Sequence, residues 1–306
     1  MLALMEMYVE GVSTRKVKEV TEELCGTTFS KSLISSLASS LDSELSAWRN
    51  CGLQGEAYPY LFVDARYEKV RVDGRVVSQG VLLVWGMRED GFREILAVEV
   101  ADTESEATYQ ELFRSLKRRG LSGVELVVSE DHEGLKAAIS RHFQGASHQR
   151  CQVHYMRNLL GMVSYASRKE LGADLRAIFA VPAKEQALQI ASSVATEWRG
   201  KGNEKVAEHV EEHLEECLTC LVFPESHRRR IRTTNGLERL RARRLKRRTR
   251  VVRIFPNREA CLRLVTALAV EQSEEWVTGR RYLEMGELNE HRREKPQAKG
   301  VALMER

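Results

Sequence analysis

Apolar and polar positions divide the chain into three kinds of stretch. Up to about Asn50 the apolar residues recur at helical spacing. Leu2–Val9 carries an apolar face that Gly11 breaks. Arg15–Leu24 is capped by Ser13 or Thr14 and stopped at Cys25-Gly26. Ser30–Trp48 places Leu33, Ile34, Leu37, Leu41, Leu45 and Trp48 on one side. Helix, short turn, helix with glycine punctuation fits a helix-turn-helix and a plain helical bundle equally. Asn50–Ala57 reads as a linker. The pattern then changes to short β-rich runs. Tyr60–Val63 is apolar and stops at Asp64, and Gln79–Gly86 and Glu94–Val100 follow, with turn signals at Asp73-Gly74 and Glu89-Asp90-Gly91. A helix is predicted over Glu104–Arg119, with Tyr109, Leu112, Phe113 and Leu116 inward and Gly120 as its stop. A strand over Val124–Ser129, a helix over His132–Phe143 and a short strand near His148–Val153 come next. Residues 155–222 are helical in pattern, Thr233 to about Arg248 is helical again, and Asn257 begins a last long helix. The densely charged residues after about Glu287 predict a mobile tail.

Three antiparallel strands, a helix, a parallel strand, a helix and a strand is the order of a ribonuclease H-like fold. The expected class is α/β: a ribonuclease H-like mixed sheet with an all-helical insertion, plus an N-terminal helical region. The expected organisation is a helical, helix-turn-helix-like region at 1–50, the first part of the core at 58–154, the helical insertion at 155–225, the second part of the core at 226–285 and a charged tail at 286–306. A chain of 306 residues, 42% hydrophobic and 30% charged, can bury such a core. No apolar run approaches a membrane span, and Met1–Glu10 is too short and acidic for a signal peptide. Cysteines 25, 51, 151, 217, 220 and 261 are scattered, as reduced thiols in the cytoplasm are.

Net charge is only +4, but it is unevenly spread. Between Arg228 and Arg253 stand thirteen cations and one acid, Glu238. Such a block is the footprint of a polyanion. Arg228, Arg229, Arg230, Arg232, Arg239, Arg243, Lys246, Arg247 and Arg248 are the candidate DNA-binding residues. Arginines that track phosphates give affinity without sequence information. A solvated helix face is the plainer reading of the same block.

Asp64 ends an apolar strand, where ligand chemistry sits in open α/β sheets. It gains weight from SEDH at 129–132, CQVH at 151–154 and TTNGLERL at 233–240. Together with LFVDARYEKVR, GVLLVWGMREDGFREILAVEVADTESEATY, LVVSEDHEGLKAAI, QRCQVHYMRNLL, KRRTRVVRIFPN and EQSEEWVTGRRYL, these stretches resemble the mutator-type transposases of bacterial insertion sequences, over roughly residues 1–285. That resemblance implies a DDE catalytic core and two-metal phosphoryl chemistry with two magnesium or manganese ions. Asp64 matches the first acidic position and Glu238 the third. Asn235-Gly-Leu-Glu238 also fits a helix cap with an acid three residues on. At the second position the family's Asp is replaced by Glu130, one methylene longer. Asp131 has the family's side-chain length, but neighbours on a strand point to opposite faces. The candidate catalytic and metal-binding residues are therefore Asp64, Glu130, Asp131 and Glu238. Cys151-x-x-His154 matches the family's C-x-x-H motif. A zinc site needs about four ligands; Cys217 and Cys220 lie in an apolar helical pattern and do not complete one. His154 is expected to hydrogen-bond beside the carboxylates or the DNA.

The implied partners are double-stranded DNA, as terminal inverted repeats and target, and further copies of the chain on that DNA, in the nucleoid and away from membranes. Arg241 stands where the family has Asn, with one residue in excess before KRRTRV, and the chain starts inside the family's usual N-terminal region. A truncated, catalytically impaired remnant that only binds DNA is thus the alternative expectation. A nuclease without strand transfer is a third.

Overall fold

The computed structural model describes residues 40–237 and 246–294. The first two predicted N-terminal helices, the start of the third and Glu238 lie outside the described residues. The third helix emerges as α1, Asp42–Arg49. The centre is a five-stranded mixed sheet of order β3-β2-β1-β4-β5. Its strands are β1 Tyr60–Val72, β2 Arg75–Met87, β3 Arg93–Ala101, β4 Leu126–Ser129 and β5 Ser147–Arg150. The first three are antiparallel neighbours. β4 runs parallel to β1, and β5 parallel to β4.

β1 does not stop at Asp64. It continues to Val72, because the two-residue turn at Asp73-Gly74 pairs its second half with Arg75–Val81. Both turn residues have positive φ, 48° and 78°, the backbone of a tight hairpin whose twist matches its strands. Side chains alternate along this half: Glu68 and Val70 are buried while Lys69 and Arg71 are exposed. Asp64 is therefore a mid-strand residue opposite Leu83. On its other side β1 pairs with β4 only as far as Phe62↔Val128, so Asp64 stands just past the end of β4.

Alternation also sorts the core. Tyr60, Phe62, Leu83 and Trp85 face the long helix α10, Arg258–Thr278. Leu61, Val63, Leu82 and Val84 face α2, Glu106–Arg118, and α3, Glu133–His142. Ser105, His132 and Asn257 cap these three helices through their side chains. Trp85 lies flat on Phe62, with centroids 3.6 Å apart, and meets the edge of Trp276 of α10.

Residues 155–222 form a separate helical layer with its own core. Its elements are α4 Gln152–Met162, α5 Arg168–Ala180, α6 Lys184–Gly200 and α7 Glu204–His213, followed by two short 3-10 turns. Helix α4 starts where the sequence pattern predicts the end of β5: Cys151 is already its N-cap. Buried glutamines join this layer to the sheet. Gln149 donates to Cys217 O at 2.8 Å and accepts from Cys220 N at 2.6 Å, and Gln152 donates to Cys217 O at 2.9 Å. Past the layer come α8, Glu225–Ile231, and a 3-10 turn at Asn235–Leu237, followed by α9, Lys246–Val252. The predicted helix from Thr233 begins with that 3-10 turn, and its middle lies outside the described residues. The expected mobile tail is helical at 286–294. Leu288 is buried there, and Arg292 pairs with Glu89 at 2.7 Å and with Glu125. Apolar contact and ion pairs hold a segment whose charge density alone predicts disorder.

Candidate active site

Three elements meet at one place. β1 contributes Asp64, the turn after β4 contributes Glu130, and the first turn of α4 contributes His154. One ligand atom from each lies within 4.8 Å of the others. Asp64 is 2% exposed, so the sheet fixes its position, whereas Glu130 is half-exposed at the rim. His154 Nε2 lies 3.0 Å from Glu130 Oε1. The N-terminal turn of α4 adds its partial positive charge to that side of the two acids.

Asp131 takes the opposite direction. Its Oδ2 lies 2.9 Å from Arg150 Nη2, and its Oδ1 lies 3.1 Å from Lys136 Nζ. Burial works to raise the Asp131 carboxyl, but the Lys136 hydrogen bond and the Arg150 charge outweigh it and hold it below the usual range. Arg150 is 1% exposed and also faces Glu216 at 3.6 Å. It lies over the Tyr155 ring. A buried cation thus ties the turn carrying Glu130 to the helical layer carrying Glu216. Beneath the same turn, Ser129 Oγ donates to Glu130 O at 2.9 Å and contacts His148 Nε2 at 2.8 Å. Burial lowers the His148 pKa to about 4, so its ring is neutral near pH 7.

The C-x-x-H motif divides its labour. Cys151 Sγ, fully buried, accepts from Thr234 N at 3.4 Å and from Thr234 Oγ1 at 3.6 Å. Gln152 N donates to Arg232 O at 3.0 Å. These contacts pin the strand of chain that leads toward Glu238, while the motif's His faces Glu130. Gly236 lies so close to Trp85 that a Cβ there would stand 2.5 Å from the indole. That close approach explains the glycine in TTNG. The Cys217 and Cys220 thiols are buried, and burial pushes them up, Cys220 to about 11. Among the described residues, Asp64, Glu130 and His154 are the one group arranged for a metal ion.

The basic block separates into parts. Arg228 donates to Phe223 O and to Pro182 O, both at 3.0 Å. Arg229, Arg230 and Arg232 line a cavity of about 970 Å³, with Arg93, Arg280 and Arg281 from elsewhere in the chain. These last three lie outside the basic block in sequence. Arg239 and Arg243 lie outside the described residues, as do the side chains of Lys246 and Arg247. Arg248 lies on α9, partly exposed. No helix among the described residues is long and apolar enough to cross a membrane.

Comparison with known proteins places the chain in a family. The transposase for insertion sequence element IS406 of Burkholderia multivorans is 46% identical over 285 residues, covering 92% of this chain and 72% of that protein. The transposase for insertion sequence element ISRM5 of Rhizobium meliloti is 46% identical over 293 residues, covering 95% and 72%. The transposase for insertion sequence element IS256 in transposon Tn4001 of Staphylococcus aureus is 36% identical over 285 residues, covering 92% and 73%. Among solved structures, the Drosophila P element transposase strand transfer complex overlaps at a TM-score of 0.35 and 11% identity, over 92% of this chain and 80% of that one, too distant a likeness to carry an argument. The family description "Transposase, Mutator family" matches residues 1–279, and the chain belongs to that family of transposases.

Proposed function

We propose that the chain is a DDE-type transposase on a ribonuclease H-like core, cleaving and joining insertion-sequence ends by metal-dependent phosphoryl transfer. The observation that carries this reading is the convergence of Asp64, Glu130 and His154 within 4.8 Å beside the end of β4. The sheet order, three antiparallel strands and then two parallel ones, supports the core assignment. The two carboxylates suit a divalent ion of the magnesium or manganese type, with the imidazole as a partner of Glu130. Asp64 and Glu130 would hold it, with Glu238 as a third carboxylate completing a two-ion site. When bound, such ions activate a water or 3′-hydroxyl and neutralise charge on the phosphoryl oxygens.

The chain's own residues do the rest. Asp64 is held in place by the ladder to β2, opposite Leu83. His154 orients the Glu130 carboxylate, and the longer Glu130 side chain reaches it at 3.0 Å. Arg229, Arg230 and Arg232 stand where a DNA backbone approaching the acids would pass. The substrates in this reading are terminal inverted repeats and target DNA, bound by more than one copy of the chain. The experiment is cleavage of a labelled terminal-repeat duplex with magnesium or manganese. Asp64→Ala and Glu130→Gln should abolish cleavage and leave DNA binding within about threefold. An Asp64→Ala protein that cuts like wild type would sink the assignment.

A further inference from the structure

The arginine-lined cavity does more than present positive charge. Its walls come from β3 (Arg93), from α8 and the chain after it (Arg229, Arg230, Arg232), and from the segment after α10 (Arg280, Arg281). It also holds Trp276 and Tyr282. The guanidinium of Arg93 lies over both rings, at 4.3 Å and 4.0 Å, and that of Arg230 lies over Tyr282 at 4.7 Å. The result is a set of flat groups, alternately cationic and aromatic. Asn235 lies on the same wall, and its Oδ1 is buried without a hydrogen-bond partner among the described residues. Val153, the neighbour of His154, is part of the lining, so the cavity opens beside the candidate metal ligands.

A duplex keeps its bases stacked and paired, so it presents phosphates and groove edges to a surface but no base face. A recess of about 970 Å³ with stacking planes and a buried amide acceptor matches something else. An unpaired nucleotide offers a phosphate to arginines, a π-face to guanidinium or aromatic planes, and a ring or exocyclic N–H group to an amide oxygen. We propose that this cavity is a subsite for an unpaired nucleotide of the DNA strand next to the reacting phosphodiester. The inference rests on the transposase reading of the adjacent acids. It adds that DNA enters this site locally unpaired, and that Arg93, Arg230, Trp276 and Tyr282 recognise the exposed base.

The test measures binding in EDTA, where no metal-dependent step occurs. The probes are a blunt 20-base-pair duplex and the same duplex ending in three unpaired thymidines. Stacking of one base contributes enough to tighten wild-type binding of the overhang probe by at least about fivefold. Tyr282→Leu and the double variant Arg230→Ala/Arg281→Ala should each bring that ratio to about one. The double variant alters rim side chains and guards against a folding defect in the first. In parallel, 5-iodouracil in the overhang should crosslink to Trp276 or Tyr282. Equal binding of both probes by wild type overturns the proposal, as do a ratio unchanged in both variants and adducts confined to other regions. These outcomes leave the metal-site reading untouched, because cleavage by wild type and its loss in Asp64→Ala are read separately. A chain that binds neither probe overturns both.

Discussion

Removing the Asp131 carboxylate should destabilise the fold while sparing metal binding. The reason is Arg150. Its guanidinium cannot lose its proton, its side chain is 1% exposed, and two of its nitrogens have no hydrogen-bond partner among the described residues. Ion pairs to Asp131 at 2.9 Å and Glu216 at 3.6 Å therefore offset its desolvation. Stripping one partner from a buried pair costs about 3–5 kcal/mol. Asp131 is 28% exposed and Glu216 remains, so water and the second acid recover part of that. Asp131→Ala should cost about 3 kcal/mol and the longer Glu216 contact, removed in Glu216→Gln, about 1 kcal/mol. A double-mutant cycle between Asp131 and Arg150 should show coupling of about 2 kcal/mol. Urea denaturation supplies these numbers. The same titrations with added manganese separate structure from ligation. Wild type and Asp131→Asn should both gain stability from the ion, and Asp64→Asn and Glu130→Gln should not. If Asp131→Ala costs under about 1 kcal/mol without coupling, or if Asp131→Asn alone abolishes the manganese effect, the network account is wrong and Asp131 is a ligand.

Three further outcomes follow from other contacts. His148 is neutral in the fold, its pKa lowered to about 4 against an ordinary 6.5. The unfolded chain therefore binds more protons between these values, and stability is lost as pH falls from about 6.5 towards 4, by at most about 3 kcal/mol; a His148→Gln protein with an unchanged pH profile would contradict this. His209 and His142, also lowered by burial, add in the same direction, while the lowered Asp131 acts only below its ordinary carboxylate range. Cys151→Ala should cost about 1–3 kcal/mol through the buried Thr234 N–H it leaves unmet, and should lower cleavage more than DNA binding, as single-turnover rates beside binding isotherms would show; Cys151→Ser, which keeps an acceptor, should recover most of both. DNA affinity should fall steeply with salt, log K against log salt having a slope of about −0.9 per neutralised phosphate, and Arg229→Ala should flatten it by about one phosphate's worth, a change that identical salt series would rule out.

Much of the α/β frame was readable from the chain because β2, β4 and the start of β1 are apolar runs and α2, α3 and α10 carry explicit starts. Ser105, His132 and Asn257 are such starts, and Gly120, with φ of 101°, is such a stop. The second half of β1 was hidden. Arg66, Glu68 and Arg71 look like loop residues, and only the Asp73-Gly74 turn, which pairs them with Arg75–Val81, makes them strand. Arg292 misled in the other direction: a charged tail reads as solvated until Glu89 and Glu125 are seen beside it. Long-range partners of this kind leave no local pattern.

The site shows the same division more sharply. Asp64 was visible as an acid closing an apolar run, and Glu130 and His154 through the motifs that resemble the family's. What spacing does not reveal is direction. The turn after β4 sends Glu130 towards Asp64 and His154 and sends Asp131 towards Lys136 and Arg150. Two adjacent acids thereby serve opposite needs: one keeps a half-exposed carboxylate available to an ion, and the other neutralises a cation that burial would otherwise make intolerable. Arg150, a lone arginine in a short strand, reads from sequence as a surface residue. Its burial is set by Glu216, sixty-six positions away, and by Tyr155, one turn into α4. The helical layer is thus bound to the turn carrying Glu130 through a charge that neither can release. A displacement of that layer when DNA binds would pull on Asp131 and, through the shared backbone, on Glu130. Changes at Glu216 should accordingly slow manganese-dependent cleavage in the same sense as, and more weakly than, changes at Asp131, with manganese binding kept, and a Glu216→Gln protein that cleaves at the wild-type rate beside a slowed Asp131→Ala would break that link.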